Sequence, residues 1–519
     1  MRSSMLMVLI PAALAQAPHA VAAPLVEFVW SGAVTPTSAE VRAKVIADGA
    51  EARLVVSPNS DMSAPSYSLP DTANAALNNR VVVLPINGLA PNTQYFYMVE
   101  VSGVMDSAMP GRFHTFPTGA ASFTLALGSC ARTASAHTVF ETIRLHDPLF
   151  FLHMGDLHYL NIAVNDRNVF RRAFDTVLAS VTQSHLYRDV AIAYVWDDHD
   201  FGPNNSDSLA PGREASRLTY QEYVPHYPLA AGTGNVPIYQ SFSVGRVRFI
   251  VTDSRSARSP AIAPDNASKT MLGTTQKAWF KQQLLDANGV YPLIVWVNSL
   301  PWIGVTGDDG WYLYTTERRE IANFIKDNQI KGLCQVSGDA HMLAIDDGSH
   351  SDYATGGGAS FPVFQTAALD QSGSIKGGPY SEGAYAGGGQ FGLMTVTDTG
   401  GPFIGVQWSG RTYTNVQRVG YTFSVFAGYG PSCDCSSHGD AAPDGVLDLF
   451  DVIALIDHAF SGAGQPPIDP ACPHLDRGDV DCNGADDVLD VVRLIEYVFS
   501  GGPAPCNPCV CSPYPAICP

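Results

Sequence analysis

The chain has 519 residues, more than one compact core holds, so two or three domains are expected. Hydrophobic residues at 46% and charged residues at 15% exclude a disordered chain, and 47 Gly with 36 Pro point to a loop-rich, strand-rich protein. A net charge of −19 argues against duplex nucleic acid as a bound partner, because phosphate backbones are met by basic faces; a small phosphorylated substrate held through metal ions stays compatible.

Arg2, the apolar run from Met5 through Ala15 and the small-residue site Val21-Ala22-Ala23 predict a Sec-type signal peptide over 1–23. The mature protein is then secreted or cell-surface associated. No later stretch is apolar enough for long enough to span a bilayer. Over 24–118, short alternating runs predict strands at Leu25 to Val34, Ala39 to Val45, Ala52 to Val56, Arg80 to Ile86 and Gln94 to Val101, a β-sandwich pattern. The segment Leu89 to Tyr95 resembles the turn before a late strand of fibronectin type III domains, where the Tyr hydroxyl ties back to the preceding backbone. No catalytic cluster stands out there, so a packing or spacer role is expected.

Over 119–430 the pattern changes to apolar strands alternating with helices, an α/β layered arrangement. Strands are predicted at Ser122 to Leu127, Pro148 to Met154, Val190 to Trp196, Arg246 to Thr252, Pro292 to Val297 and Gly332 to Val336. Helices are predicted at Thr138 to His146, Arg167 to Leu186, Thr275 to Ala287 and Thr316 to Asp327. Such sheets carry their ligand-binding residues on the loops past the strand ends. Five polar clusters sit there: Gly128-Ser129-Cys130, His153 to Tyr159, Trp196 to Asp200, Thr252 to Arg255 and Ser337 to His341. Singly, each reads as a helix cap, a turn or a core histidine. Together they bring many carboxylates to one sheet edge, with Arg255 the conspicuous cation, and buried carboxylates need compensation. Bound metal is the economical answer.

The last part of the chain is built differently. From 433 to 519 there are 14 Asp and Glu against Arg477 and Arg493, and eight of the ten cysteines: Cys433, Cys435, Cys472, Cys482, Cys506, Cys509, Cys511 and Cys518. In an exported module an even number of this kind predicts disulfides. Cys130 and Cys334 stand apart, and a mutual bond, buried free thiols or metal ligation are all open for them. The tail also repeats itself over 433–501, ahead of a Cys/Pro-rich end at 502–519. Asp479, Asp481, Asn483, Gly484, Asp487 and Asp490 fall at positions 1, 3, 5, 6, 9 and 12 of a calcium loop. Asp440, Asp444, Gly445, Asp448 and Asp451 repeat the pattern, with Ala442 failing at position 3. Each loop opens an amphipathic helix, with apolar positions at Val452, Leu455, Ile456 and at Val491, Leu494, Ile495.

The middle segment resembles the alkaline phosphatase D (PhoD-like) branch of the calcineurin-like metallophosphoesterases, over about Phe123 to Trp408. The motifs are Gly-Ser-Cys at 128–130, Gly-Asp-x-x-Tyr at 155–159, Asp-Asp-His-Asp at 197–200 with Asn204-Asn205, Asp-x-Arg at 253–255, Leu-Gly-x-x-Gln-x-x-Trp at 272–279 and Ser-Gly-Asp-Ala-His at 337–341. The resemblance implies hydrolysis of phosphate esters at a metal cluster. Asp156 would bridge, Cys130, Tyr159 and His341 would bind iron, and Asp198 and Asp339 a second cation such as calcium. His199 would act as acid/base, and Arg255 would meet the phosphoryl oxygens. One departure stands out: the strand that supplies a His in metallophosphoesterases here ends in Asn298. That favours one alternative, a surface-anchored binding or structural protein with an inactive phosphoesterase-like domain. An extracellular nuclease or phosphodiesterase is a further alternative, because the motifs do not distinguish monoester from diester. The tail resembles a type I dockerin, which implies calcium in both loops and a cohesin-like or cell-surface partner.

Overall fold

The computed structural model describes residues 23–305 and 309–427, and in the tail 439, 441, 447–461, 478, 480, 488–502 and 505. The export segment at 1–22, the eight tail cysteines and the loop residues Asp440, Asp444, Asp479, Asp481, Asn483 and Asp487 lie outside the described residues.

Two large sheets dominate. The nine-stranded sheet runs Gln417–Phe426, Phe403–Thr412, Gln390–Thr397, Phe123–Gly128, Phe151–Met154, Ile192–Val195, Val26–Gly32, Ser38–Val45, Val81–Asn87. The seven-stranded sheet runs Gln240–Val244, Val247–Val251, Leu293–Val297, Leu333–Ser337, Val363–Thr366, Met342–Asp346, Gly383–Ala386. At the centre of each, neighbouring strands are parallel. Parallel strands covered on both faces read as unbroken apolar runs, and Ile192–Val195 and Leu293–Val297 are buried throughout. Leu125, Leu127 and Val195 from one sheet share a core with Phe249, Val295 and Val336 from the other. The outer face of the seven-stranded sheet, through Ile294 and Trp296, is covered by Phe280 and Leu284 of the helix Gly273–Ala287 and Ile321 and Ile325 of Thr315–Asp327.

The strands expected from alternation all form, within a few residues of the predicted bounds. The single helix expected from Arg167 to Leu186 is two, Arg167–Leu178 and Val181–Asp189. Ser180 between them is extended (φ −66°, ψ 127°), and its hydroxyl donates to Ser135 O, which Gln183 Nε2 also reaches at 3.1 Å. A tertiary acceptor thus breaks a run whose local pattern favours continuity. In the amino-terminal part the expected tie is present: Ala90 N donates to Tyr95 Oη at 2.9 Å.

The strands Val26–Gly32, Ser38–Val45 and Val81–Asn87 do not stand apart from the middle segment, for Gly32 pairs in parallel with Ile192. Trp30, fully buried, donates from Nε1 to Tyr223 O at 2.9 Å and packs on Phe174 and Tyr187. Trp30→Ala is therefore expected to cost about 3–5 kcal/mol, shifting one common unfolding transition in urea. A separate early transition that leaves the middle segment at its wild-type midpoint would refute this coupling.

In the tail, the helices Leu449–Ser461 and Val488–Ser500 pack through Val452, Leu455, Val491 and Leu494, joined by Ala441 and Val480. Asp448 accepts Phe450 N at 2.7 Å, and Asp448 N donates to Asp451 Oδ2 at 2.7 Å. Asp451 and Asp490 are buried.

Candidate active site

The five strand-end clusters singled out in the middle segment, and Asn298, each follow the carboxyl end of a parallel strand: Cys130 after Phe123–Gly128, Asp156 after Phe151–Met154, Asp197 to His199 after Ile192–Val195, Arg255 after Val247–Val251, Asn298 after Leu293–Val297 and Asp339 with His341 after Leu333–Ser337, whereas the motif at 272–279 opens the helix Gly273–Ala287. The strand ends meet closely. A Cβ on Gly155 (φ +100°) would lie 2.4 Å from Asp197 Cβ, and one on Gly338 would lie 2.6 Å from both Met154 O and Ser129 Oγ. Cys130, Asp156, Asp339 and His341 all hold left-handed backbone, with φ of 62°, 56°, 62° and 36°. Non-glycine residues reach that region at a cost, and such strain gathers at functional sites.

The side chains converge on Asp156. Cys130 Sγ lies 3.6 Å from Asp156 Oδ2, and Tyr159 Oη donates to the same oxygen at 2.8 Å. Tyr159 Oη is also 2.9 Å from His341 Nε2. His341 Nδ1 lies 2.8 Å from Ser372 O, an acceptor that requires the proton on Nδ1 and leaves the Nε2 lone pair facing Tyr159 and Asp156. On the other side, ligand atoms of Asp156, Asp198 and His199 lie within 4.8 Å of one another, as do those of Cys130, Asp156 and His341. Asp156 is common to both groups. His199 Nδ1 is 2.7 Å from Asn161 Oδ1, which also accepts Asn204 N at 2.9 Å, so Nδ1 carries the proton and Nε2 is free. Asp198 Oδ2 accepts Asn205 N at 2.5 Å.

The electrostatics call for a cation. Burial, reinforced by Asp198, Asp197 and Asp200, pushes the Asp156 carboxyl well above its ordinary range. Burial and the charge of Asp156 likewise push up the Cys130 thiol and the Tyr159 phenol. Asp339 is pushed up to about 6, first by burial and, against the pull of Lys376, by Asp309 and Asp198. Asp198 behaves oppositely, since Arg255 and His199 outweigh its burial and lower it. Buried Asp198 Oδ1 and Asp197 Oδ2 have no protein hydrogen-bond partner. Thiolate, phenolate, imidazole and carboxylate donors around orphaned anionic oxygens fit a bound metal ion, which would favour the deprotonated ligands.

The structure brings together Cys130, Asp156, Tyr159, His341, Asp198 and His199, all singled out in the sequence. Two expectations change. Asp339 joins neither donor group, and Lys376 Nζ binds both of its oxygens, at 2.8 and 3.1 Å. Arg255, expected at the phosphoryl group, is fully buried and its donors are taken: Nε by Asp197 Oδ1 (2.5 Å), Nη2 by Asp309 Oδ2 (2.7 Å) and Nη1 by Ser206 O (3.3 Å). The cause is local, since Asp253 Oδ1 accepts the main-chain N–H of Arg255 and Ser256 and the Trp196 indole, turning the loop inward. Cys130 and Cys334 are separate buried free thiols. Asn298 is buried, with Nδ2 donating to Leu300 O at 3.0 Å and Oδ1 without a protein partner. Sequence reasoning missed Asn161, Asp309 and Lys376. Asn161 was within reach, two residues past the Gly-Asp-x-x-Tyr motif, whereas Asp309 and Lys376 lie in loops without a motif.

A layered α/β sheet pair with clustered metal-type donors at its strand ends is the class of site that hydrolases of phosphoric esters use. Residues 125–382 match the family model described as PhoD-like phosphatase, so the middle of the chain carries the sequence signature of a phosphoric-ester hydrolase. Alkaline phosphatase D of Bacillus subtilis (strain 168) is 22% identical over 305 residues, covering 49% of this chain and 52% of the relative. The chain thus spans about half the length of that curated relative. A solved structure described as "Structure of PhoD" has the same fold, with a TM-score of 0.66, 16% identity and coverage of 79% of this chain and 92% of that one. Among the described residues no helix is long and apolar enough to cross a membrane.

Proposed function

We propose that the chain is an exported, metal-dependent phosphoesterase of the alkaline phosphatase D kind, acting on phosphate monoesters, diesters or both, with a calcineurin-like layered domain as its catalytic part. The observation that carries the reading is the place of Asp156 between Cys130, Tyr159 and His341 on one side and Asp198, with His199 beside it, on the other. Thiolate, phenolate and imidazole suit iron, and carboxylate oxygens suit a harder cation such as calcium. Cys130, Asp156, Tyr159, His341 and Asp198 would hold the metal, which would supply a hydroxide near neutral pH, by lowering the pKa of bound water from 15.7 to roughly 7, and a charge for the phosphoryl oxygens. The chain's own groups set the rest. His199 N and Tyr159 Oη each donate to one oxygen of Asp156, fixing the shared carboxylate. His199, with Nδ1 held by Asn161, offers Nε2 to carry a proton to the leaving alkoxide. Arg255, itself paired with Asp309, holds Asp197.

Elemental analysis of the purified mature protein, with turnover of one aryl monoester and one aryl diester, tests the reading. Bound metal with turnover of either ester supports it, and the faster ester names the preference. Absence of both metal and turnover overturns it in favour of a binding protein.

The reading extends to the flanks as a fibronectin type III-like part over 24–118 and a dockerin-like pair of calcium loops over 433–501, the latter taking a cohesin-like or cell-surface partner. The separate helix core around Val452, Leu455, Val491 and Leu494 supports an independent tail. Removing 433–519 is then expected to leave kcat/KM for the better ester within about twofold of the full chain, since surface changes away from a site shift energies by only about 0.5 kcal/mol. Loss of turnover in the truncated protein would show the modules to be interdependent.

A further inference from the structure

We infer that Lys376 is a substrate-binding residue whose ammonium contacts the non-bridging oxygens of the phosphoryl group, the role that the sequence suggests for Arg255. The inference rests on the phosphoesterase reading for the identity of the ligand, and on three observations for the residue.

The first is which cations are free to act. Among the described residues, Arg255, Arg258 and Lys376 are the cations ion-paired to this cluster. The arginine side chains are fully buried, Arg255 on Asp197 and Asp309 and Arg258 on Asp309. The Lys376 side chain is 26% exposed, so of the three it is the one a solute can reach. Phosphate recognition needs a cation that meets the ligand, and lysine serves as a point charge with three donors in this role.

The second is place. Lys376 Nζ sits on both oxygens of Asp339, and its charge acts on His199, His341, Asp309 and Tyr312. Asp339 stands two residues before His341, so the ammonium is held next to the donor group of Cys130, Asp156 and His341. Asp339 positions the ammonium without taking all of its donors.

The third is pre-organisation. Lys376 lies in a segment without helix or strand, yet the backbone on each side is tied down. Ser374 N donates to His341 O (3.2 Å), Gly378 N to Ile303 O (3.3 Å) and Tyr380 Oη to Lys376 O (3.1 Å). Gly377 has φ +68°, and a Cβ there would lie 2.1 Å from Ile303 O, so only glycine lets the loop close this tightly. A lysine on a fixed stem loses less entropy when it binds an anion.

The test uses the full metal-loaded chain and inorganic phosphate as the probe, measured both by calorimetric binding and by inhibition of ester turnover, with metal per chain followed by elemental analysis. Lys376→Met is expected to weaken phosphate binding about tenfold or more, the range of one charge-assisted hydrogen bond, and to raise KM more than it lowers kcat. Metal content should be unchanged, and Lys376→Arg should restore most of the affinity. Phosphate affinity within twofold of wild type in Lys376→Met overturns the inference. So does uptake of one more metal ion by Lys376→Met with phosphate affinity retained, which would make the ammonium a substitute for a metal. A wild-type chain that binds phosphate through Lys376 yet turns over no ester would keep this inference and remove the catalytic reading.

Discussion

Asp156→Asn is expected to abolish measurable turnover and to strip metal from the middle segment, with affinity falling by more than the roughly 100-fold that loss of an outer-shell partner costs. The carboxylate is common to both donor groups. An amide keeps the shape but brings one neutral oxygen and one NH2 group, and that NH2 would face Cys130 and the Tyr159 hydroxyl, or the main-chain N–H of His199. The same substitution should leave the metal-free protein no less stable. Asp156 is buried among Asp197, Asp198 and Asp200, so removing its charge relieves repulsion that only a cation otherwise offsets. Elemental analysis, initial rates and thermal melting in chelator together read the outcome. An Asp156→Asn protein with normal metal content and normal rate would sink the site assignment.

The difference between what the sequence discloses and what it hides has a physical pattern. Parallel strands buried on both faces leave long apolar runs, and their carboxyl ends are where chain order alone puts the loops of a layered sheet. Cys130, Asp156, Asp198, His199 and His341 were legible for that reason. The first four of these follow three adjacent strands, Phe123–Gly128, Phe151–Met154 and Ile192–Val195, and their convergence on one carboxylate is a consequence of neighbouring positions in one sheet. Lys376 and Asp309 were not legible. They stand in irregular loops, and their partners, Asp339 for one and Arg255 with Arg258 for the other, are set by how those loops fold back over the sheet edge. The split at Ser180 has the same origin: Ser135, on a loop 45 residues away in the chain, supplies the acceptor that ends one helix and begins the next.

Arg255 is the instructive case, because its residue type was read correctly and its neighbourhood was not. An arginine two residues past a strand-end Asp can face the ligand or the protein, and one turn of backbone decides between them. Here Asp253 gathers the Arg255 and Ser256 N–H groups and turns the side chain inward. The guanidinium then becomes the counter-ion of two buried carboxylates, and Asp309 is held well below its ordinary range, with Arg255 and Arg258 overcoming its burial.

Arg255→Met is accordingly expected to act on stability before it acts on binding. Removing one member of a buried ion pair leaves the other charge uncompensated, at about 3–5 kcal/mol, and here Asp197 and Asp309 are both left behind, each fully or almost fully excluded from solvent. Arg258 remains on Asp309, so the larger share of the penalty should fall on Asp197, which sits beside Ser299 and carries an oxygen with no protein partner. Urea unfolding of the Arg255→Met protein should show the midpoint lowered with the slope unchanged. Combining it with Asp197→Asn should recover part of the loss, since neither substitution then leaves that charge alone. Arg255→Lys keeps the charge and gives up the planar fork that serves Asp197, Asp309 and Ser206 O together, so it should fall between wild type and Met. A stable Arg255→Met protein with a raised KM and weakened phosphate binding would return this arginine to the substrate and displace Lys376 from it.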